Sequence, residues 1–338
     1  MKDISVGIIG ISGYTGLELV KMLLSHKRFR LDYVANSTGK STLAELHPSL
    51  FGVFDMPVVK ADAKEAGKLC ELVFLCLPHK NAMVFASKLL DLGVKVVDLS
   101  ADFRLDLETY EDIYCEHLAK DYLKEAVYGL TELNREKIKK TNLLANPGCY
   151  PTASILPILP FLDFILDNES IYIDAKSGVS GAGKNPKPHT NFSHLDSNFF
   201  AYSPITHRHS LEIEEKLLKA SDKKFNVVFV PHLLPTIRGM QVSIFVKLNK
   251  RVQDPYKILK DYYKNEPFIR IRQNPVEIKN VAGTNFCDIY ADIKNGSLYL
   301  SSAIDNLVRG ASGSALVNAN IMFGLEEDEG INSIAYTP

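Results

Sequence analysis

The 338-residue chain has room for about two domains, and 46% hydrophobic against 23% charged residues suits an ordinary globular protein with a sizeable core. Its 39 basic and 40 acidic residues, a formal net charge of -1, leave no electrostatic footprint for nucleic acid or an anionic membrane. Five cysteines stand singly at 70, 76, 115, 149 and 287, an odd count without metal-ligand spacing, which argues against a disulfide framework and for a reducing compartment.

The start, Met1-Lys2-Asp3-Ile4, runs straight into a strand pattern and does not read as a signal peptide, and no apolar run is long enough to span a membrane. A cytoplasmic protein is expected. Ile4–Ile9 reads as a buried strand, followed by Gly10-Ile11-Ser12-Gly13-Tyr14-Thr15-Gly16 and a helix with apolar positions Leu17, Leu19, Val20, Leu23 and Leu24. Strand, glycine-rich turn and helix in that order form a dinucleotide-binding unit, in which Gly10, Ser12, Gly13, Tyr14, Thr15 and Gly16 cradle a pyrophosphate at the helix N-terminus. The spacing is G-x-x-G-x-x-G rather than the commoner G-x-G-x-x-G.

The second strand, Leu31–Ala35, ends in Asn36-Ser37-Thr38-Gly39-Lys40, where an NAD site wants a carboxylate for the ribose hydroxyl. Hydroxyls at Ser37 and Thr38 with Lys40 suit a 2′-phosphate, so NADP is expected; Asp32, early in the strand, is the counter-example. A third buried strand, Glu71–Leu77, ends in Pro78-His79-Lys80, placing His79 either near the cofactor or in a plain turn. Val94–Leu99 is a further strand, followed by Ser100 to Arg104. An arginine past a strand end suits an anionic substrate by a bidentate contact; a salt bridge to Asp102 or Asp106 is the alternative.

Leu144-Ala145-Asn146-Pro147-Gly148-Cys149-Tyr150-Pro151 is the centre of the chain's chemistry. Pro147 and Gly148 force a turn, and Cys149 sits just before a long apolar run, Ala153 to Leu166, opened by Pro151 near a first helical turn. That places a thiol at the positive end of a helix, where backbone N–H groups favour the thiolate and make it a nucleophile. Burial as a small hydrophobe is the competing reading.

Beyond it, Ser170–Ala175, Asn226–Val230, Gln241–Leu248, Phe286–Ile293 and Ser297–Ala303 read as strands, with helices near Leu211–Ala220 and Pro255–Asn265. The fold class is therefore α/β: a Rossmann-type dinucleotide-binding domain plus an α+β catalytic domain with a mixed, largely antiparallel sheet. Residues 1–147 and 305–338 are assigned to the first domain and 148–304 to the second. Two loops concentrate reactive residue types: Lys176 to Lys184, rich in glycine, and Thr206-His207-Arg208-His209-Ser210-Leu211-Glu212 ahead of a helix. In an extended loop His207 and His209 point opposite ways, so one faces the thiol; the choice leans to His207. Glu212 or Glu214 could orient a ring. Histidines 189, 194, 207, 209 and 232 lack a thiolate or carboxylate constellation, so no metal is expected.

These motifs resemble the N-acetyl-gamma-glutamyl-phosphate reductase family of the aspartate-semialdehyde-dehydrogenase-like group. The resemblance is carried by Gly13–Gly16, Leu77-Pro78-His79, Asp98–Arg104, Tyr128–Arg135, Asn146–Thr152, Ser177–Gly183, His207-Arg208-His209, Gly283–Asp288 and Asp305-Asn306-Leu307. Ile205-Thr206, where a glycine is commoner, is a small departure. The resemblance implies Cys149 as the acyl-accepting nucleophile, NADPH as hydride donor, arginine biosynthesis as the setting and a homodimer or homotetramer as the assembly. On this reading Pro78, Ser180, Gly181, Gly183 and Asn306 join the cofactor site, and Arg104, Asn146, Ser177, Arg208 and Glu212 the substrate site. A related acyl-phosphate reductase, such as aspartate-semialdehyde dehydrogenase, and a non-catalytic redox sensor are the rival readings.

Overall fold

The computed structural model describes residues 3–336; Met1, Lys2, Thr337 and Pro338, the ends of the segments assigned above, lie outside the described residues. The chain divides into two compact units. One runs through Pro147 and includes Ala311–Ile331; the other takes Gly148–Gly310 and the segment from Asn332.

Among the described residues the first unit holds eight strands: β1 (Ile4–Ile9), β2 (Phe29–Asn36), β3 (Ser41–Thr42), β4 (Pro57–Lys60), β5 (Leu72–Leu75), β6 (Lys95–Asp98), β7 (Val127–Tyr128) and β8 (Leu143–Ala145). Their order is β3-β4-β2-β1-β5-β6-β8-β7. The ladders are parallel except for the β3–β4 edge pair. The last four residues of β1 and all of β5 are buried, as expected of parallel strands covered on both faces, whose sequences run apolar without alternation. Strand order reverses between β1 and β5, so the crevice at their carboxyl ends is the place where such sheets take a ligand. The turn after β1 lies against that after β5: a Cβ at Gly10, whose φ is +97°, would stand 2.2 Å from the Cys76 carbonyl oxygen.

The second unit holds β9 (Ser170–Gly178), β10 (Phe200–Ala201), β11 (Asn226–Leu234), β12 (Met240–Lys247), β13 (Ile269–Ile271), β14 (Cys287–Lys294) and β15 (Ser297–Ile304), in the order β10-β11-β9-β12-β15-β14-β13. Only β9–β11 and β13–β14 pair in parallel, so the sheet is mixed and largely antiparallel, as the sequence predicts. Helices Cys149–Ile158 and His209–Ser221 pack on it and on each other.

The Cys149–Ile158 helix is buried from Tyr150 onward and continues as a 3-10 stretch, Leu159–Phe164, rather than as one long helix. Two prolines set its hydrogen-bond problem. Pro157 and Pro160 have no N–H for the carbonyls of Ala153 and Leu156 four residues earlier. The Ser302 hydroxyl donates to the first carbonyl and the Tyr263 hydroxyl to the second. The carbonyls that the prolines leave open thus tie the cysteine helix and its 3-10 extension to β15 through Ser302 and to the end of the helix Pro255–Tyr262 through Tyr263.

Residues 305–310 group with the second unit, against their assignment to the first, and so does the segment from Asn332. The reason is hydrogen bonding that composition does not reveal. Asp305 accepts the Gly283 N–H at 2.6 Å and pairs with Arg238 at 2.8 Å, while Asn306 accepts the Gly239 N–H at 2.8 Å. The Tyr336 ring lies over Gly283, where a Cβ would meet it at 2.4 Å.

Candidate active site

In the first unit the helix Tyr14–Ser25 begins at an N-cap, Gly13, with no side-chain cap and no acidic residue in its first turn. Its orphan N–H groups therefore remain for an anion. A Cβ at Gly13 would meet nothing nearer than 3.8 Å, so backbone is open to a ligand there, whereas one at Gly16 would press on Ile11 Cα at 2.9 Å. Open backbone at Gly13, tight packing at Gly16 and an uncapped helix end together fit a pyrophosphate. Ser12, Gly13 and Thr15 are half-buried and Tyr14 is exposed.

At the end of β2 the Asn36 carboxamide organises the next loop. Its oxygen accepts the N–H of Thr38 at 2.9 Å and of Gly39 at 2.6 Å, and its nitrogen donates to the Ser12 hydroxyl at 3.2 Å. Ser37, Thr38 and Lys40 are left exposed on this turn. Asp32 is engaged by Arg30 at 2.9 Å, four residues before the strand ends.

Beyond β5, Pro78 is exposed and the His79 ring packs edge-on against Tyr114 at 5.1 Å. Fully buried Asp102 holds this loop: it accepts the N–H groups of Lys80 and Met83, each at 2.9 Å, and the Tyr110 hydroxyl at 2.7 Å. Burial, reinforced by the Asp102 charge, pushes the Asp98 carboxyl up to about 7.

Arg104 is buried. Its Nε donates to the Asn146 carbonyl at 2.7 Å and one terminal nitrogen to the Leu99 carbonyl at 2.8 Å. Asn146 is 1% exposed; its N–H donates to the Asp98 carbonyl at 2.8 Å and its Nδ2 to the Ala311 carbonyl at 3.1 Å, while its Oδ1 accepts from Asn318. Both residues thus brace the turn that leads to Cys149.

Within the second unit Cys149 is the first residue of its helix, half-buried, with Gly148 as N-cap. The Gly148 N–H donates to buried Glu212 at 3.0 Å, and the Thr152 hydroxyl to the Gly148 carbonyl at 2.9 Å. Glu214 is spent elsewhere, accepting the Val227 N–H at 2.8 Å, and does not orient a histidine through that oxygen. Cys70 and Cys287 are buried, and burial pushes the thiols of Cys70 and Cys76 up to about 12.

The histidine segment departs from the extended geometry that the sequence predicts. Arg208 is the N-cap with helical φ and ψ of -55° and -27°, and His209 is already the first helical residue. The chain curls instead of alternating, so the two rings converge, 4.9 Å apart, and both meet Tyr150 edge-on, His207 at 5.7 Å and His209 at 5.8 Å. Tyr150, missed as a functional position by the sequence reading, is the platform on which they stand. Its hydroxyl accepts from Tyr202 at 3.0 Å. The His207 Nδ1 accepts the His209 N–H at 3.2 Å, so the neutral ring carries its proton on Nε2. Burial, with the Arg208 charge second, pushes His207 down to about 4. Arg208 itself is exposed.

The remaining positions lie in the same unit. Ser177, next to last in β9, is buried; Ser180 is buried in the 3-10 turn Val179–Ala182; Gly181 and Gly183 are exposed, and nothing lies within 4 Å of a Cβ at Gly183. Asn306 donates to the Ser180 hydroxyl at 2.9 Å. His232 stacks on Phe199 and pairs with Asp174 at 3.1 Å, and His189 and His194 pack on Phe200. Among the described residues no helix is long and apolar enough to cross a membrane.

Residues 5–141 match the model of the semialdehyde dehydrogenase NAD binding domain and residues 149–306 that of the semialdehyde dehydrogenase dimerisation domain. The chain thus has a nicotinamide-dinucleotide-binding domain and a dimerisation domain. It is 56% identical over 338 residues to an N-acetyl-gamma-glutamyl-phosphate reductase of Wolinella succinogenes, covering 100% of both chains. It is 56% identical over 328 residues to one of Campylobacter curvus, covering 97% of each. Among solved structures it resembles aspartate semialdehyde dehydrogenase II of Vibrio cholerae, with TM-score 0.73 and 16% identity over 96% of this chain and 99% of that one. A Candida albicans aspartate semialdehyde dehydrogenase solved with NADP gives 0.71 and 14%, over 95% and 99%. At such identities these two show the fold alone, whereas the end-to-end relatives decide the family: the chain belongs to the N-acetyl-gamma-glutamyl-phosphate reductases, on the semialdehyde dehydrogenase fold.

Proposed function

We propose that this protein reduces N-acetyl-L-glutamyl 5-phosphate to N-acetyl-L-glutamate 5-semialdehyde and phosphate with NADPH, as a step of arginine biosynthesis in the cytoplasm, and works as a homodimer or homotetramer. The observation that carries the chemistry is a half-exposed thiol at the first residue of a helix, with two imidazoles set on the ring of the next residue. Identity to reductases of that name along the whole chain supports the substrate.

The Cys149 thiolate attacks the acyl carbon; the new C–S bond forms as the carbon–phosphate oxygen bond breaks, leaving a thioester and free phosphate. The helix N-terminus favours negative charge at the sulfur, but the Glu212 carboxylate already occupies the Gly148 N–H, so an imidazole is needed to take the thiol proton. We assign that task to His209. His207 is held neutral well below pH 7 and its Nδ1 is used by the His209 N–H, which suits a ring that holds its neighbour in place. His209 also protonates the oxygen of the Cys149 adduct and takes that proton back as the C–S bond breaks and the aldehyde forms. Exposed Arg208 offers the cation for the substrate's charge; buried Arg104 and Asn146 brace the turn, Glu212 holds the Gly148 N–H at the helix end, and Ser177 is a further substrate contact of this reading.

The dinucleotide would be held by the Gly10–Gly16 turn, with Pro78, Ser180, Gly181, Gly183 and Asn306 as further contacts. When bound, its nicotinamide supplies the hydride that reduces the thioester carbon. The exposed Ser37, Thr38 and Lys40, with Asp32 tied to Arg30, suit the 2′-phosphate of NADP. The test is phosphate-dependent NADP reduction with N-acetylglutamate semialdehyde against aspartate semialdehyde. Turnover of the first alone supports the reading; preference for the second makes it an aspartate-semialdehyde dehydrogenase; turnover of neither leaves a redox sensor. Light scattering of the purified protein gives the assembly.

A further inference from the structure

We propose that His47 is a positioning residue of the dinucleotide site: it grips the Ile11 carbonyl and thereby aims the Ser12 N–H at the bound pyrophosphate. The inference rests on the reading of the Gly10–Gly16 turn as that site.

His47 is 5% exposed and lies at the junction of the short helix Leu43–Leu46 and the 3-10 turn Pro48–Leu50. Its backbone is fixed on both sides, for its N–H donates to Leu43 at 2.8 Å and its carbonyl accepts from Leu50 at 2.9 Å. The Thr42–Glu45 capping box holds the helix that leads into it. From this anchored position the ring reaches into the glycine-rich turn, with Nε2 2.7 Å from the Ile11 carbonyl oxygen. A carbonyl only accepts, so Nε2 carries the proton and donates.

The geometry of the peptide bond gives this contact its consequence. The Ile11 carbonyl and the Ser12 N–H belong to one planar trans unit and point in opposite directions. Fixing the carbonyl toward His47 therefore fixes the N–H away from it. Other bonds hold the flanks of the turn: the N–H groups of Gly10 and Ile11 both donate to the Ala35 carbonyl, at 2.8 and 3.2 Å, and Asn36 donates to the Ser12 hydroxyl at 3.2 Å. Neither sets the rotation of the Ile11–Ser12 plane, which His47 does. Ile11 is fully buried, so a carbonyl that lost His47 would turn to seek another donor and swing the Ser12 N–H with it.

The experiment is NADPH titration and steady-state kinetics on the full-length wild type, His47→Leu and His47→Gln. His47→Leu fills the space without a donor and should raise both Kd and KM for NADPH by about tenfold, as expected for one lost hydrogen bond, with kcat falling by less. The glutamine amide reaches about as far as imidazole Nε2, so His47→Gln should bind within about threefold of wild type. Circular dichroism reports folding; if His47→Leu does not fold, His47→Asn, whose amide is too short to reach, takes its place against His47→Gln. Tight NADPH binding by a folded variant without the donor, or no advantage of Gln over it, overturns the proposal. Failure of the wild type to bind NADPH overturns the dinucleotide reading itself.

Discussion

Gly310 packs directly on Cys149, the proposed nucleophile, and Gly310→Ala is the sharpest test of how finely that thiol is set. A Cβ there would lie 2.6 Å from Cys149 Cβ and 3.1 Å from Cys149 Cα, where ordinary contact begins at 3.4 Å. One side must therefore retreat by about 0.8 Å to relieve the first clash alone. Cys149 heads a helix buried from Tyr150 to Ile158, and Gly310 sits in the π-turn Val308–Ser312, beside Asp305 and Asn306, whose side chains are hydrogen-bonded. Neither side has slack. Overpacking of this kind costs about 1–3 kcal/mol. A thiol displaced by most of an ångström should lose roughly 10²-fold in kcat, since near-attack geometry is that sensitive. The assay pairs turnover with the rate of Cys149 alkylation and a thermal melt. Turnover within about twofold of wild type, in a protein that melts a few degrees lower, would refute the argument, because the strain would then have been absorbed away from the sulfur.

Cys149→Ser should be nearly inactive at neutral pH yet bind NADPH as the wild type does, and a thioester trapped on Cys70, Cys76, Cys115 or Cys287 would overturn the assignment. The His207 ring should titrate near pH 4 by NMR. Its folded value lies below the unfolded value of 6.5, so as pH falls from 6.5 toward 4 the unfolded chain takes the proton first and stability is lost; His207→Asn should flatten that part of the stability curve. His209→Asn should lower turnover by ~10²-fold and shift the pH profile of Cys149 alkylation, and a normal profile would remove it as the base. Ser37→Asp should weaken NADP relative to NAD by placing a carboxylate on the exposed loop beside Asn36, and an unchanged preference would show that the loop does not meet the 2′-phosphate.

The dinucleotide half of the fold was legible because its physics is local. β1 spans the predicted Ile4–Ile9, since its buried part, Val6–Ile9, is covered on both faces and runs without polar alternation. The glycine turn and its helix follow from spacing alone. The edges were not legible: β3 and β7 are two residues long, and β10 and β13 two and three, too short to carry any periodicity. β9 and β11 run on to Gly178 and Leu234, past the predicted ends, because each supplies the other's hydrogen bonds in parallel through to their last residues. Pairing of that kind lies in the register between strands and not in either strand's own residues.

The same distinction explains the site. Residue types announced Cys149, the histidines and Glu212, but not how they are arranged. Placing His207 and His209 on opposite sides assumed a period of two, and one residue decides otherwise: Arg208 takes helical φ and ψ, so the helix begins two residues before the predicted Leu211 and brings both rings onto Tyr150. Nothing in the triplet His-Arg-His marks that turn. It is set where Glu212, one turn into the helix, reaches the Gly148 N–H and is buried there. A carboxylate in that position would be a poor neighbour for a thiolate if it served only charge. Its contact with the backbone of the cysteine turn gives it another use, for it fixes the histidine helix against the cysteine helix at the residue before the sulfur. The helix end that carries the thiol and the helix that carries the imidazoles are thus joined by a hydrogen bond of 3.0 Å between Glu212 and Gly148, a link between two helices that no single propensity along the chain announces.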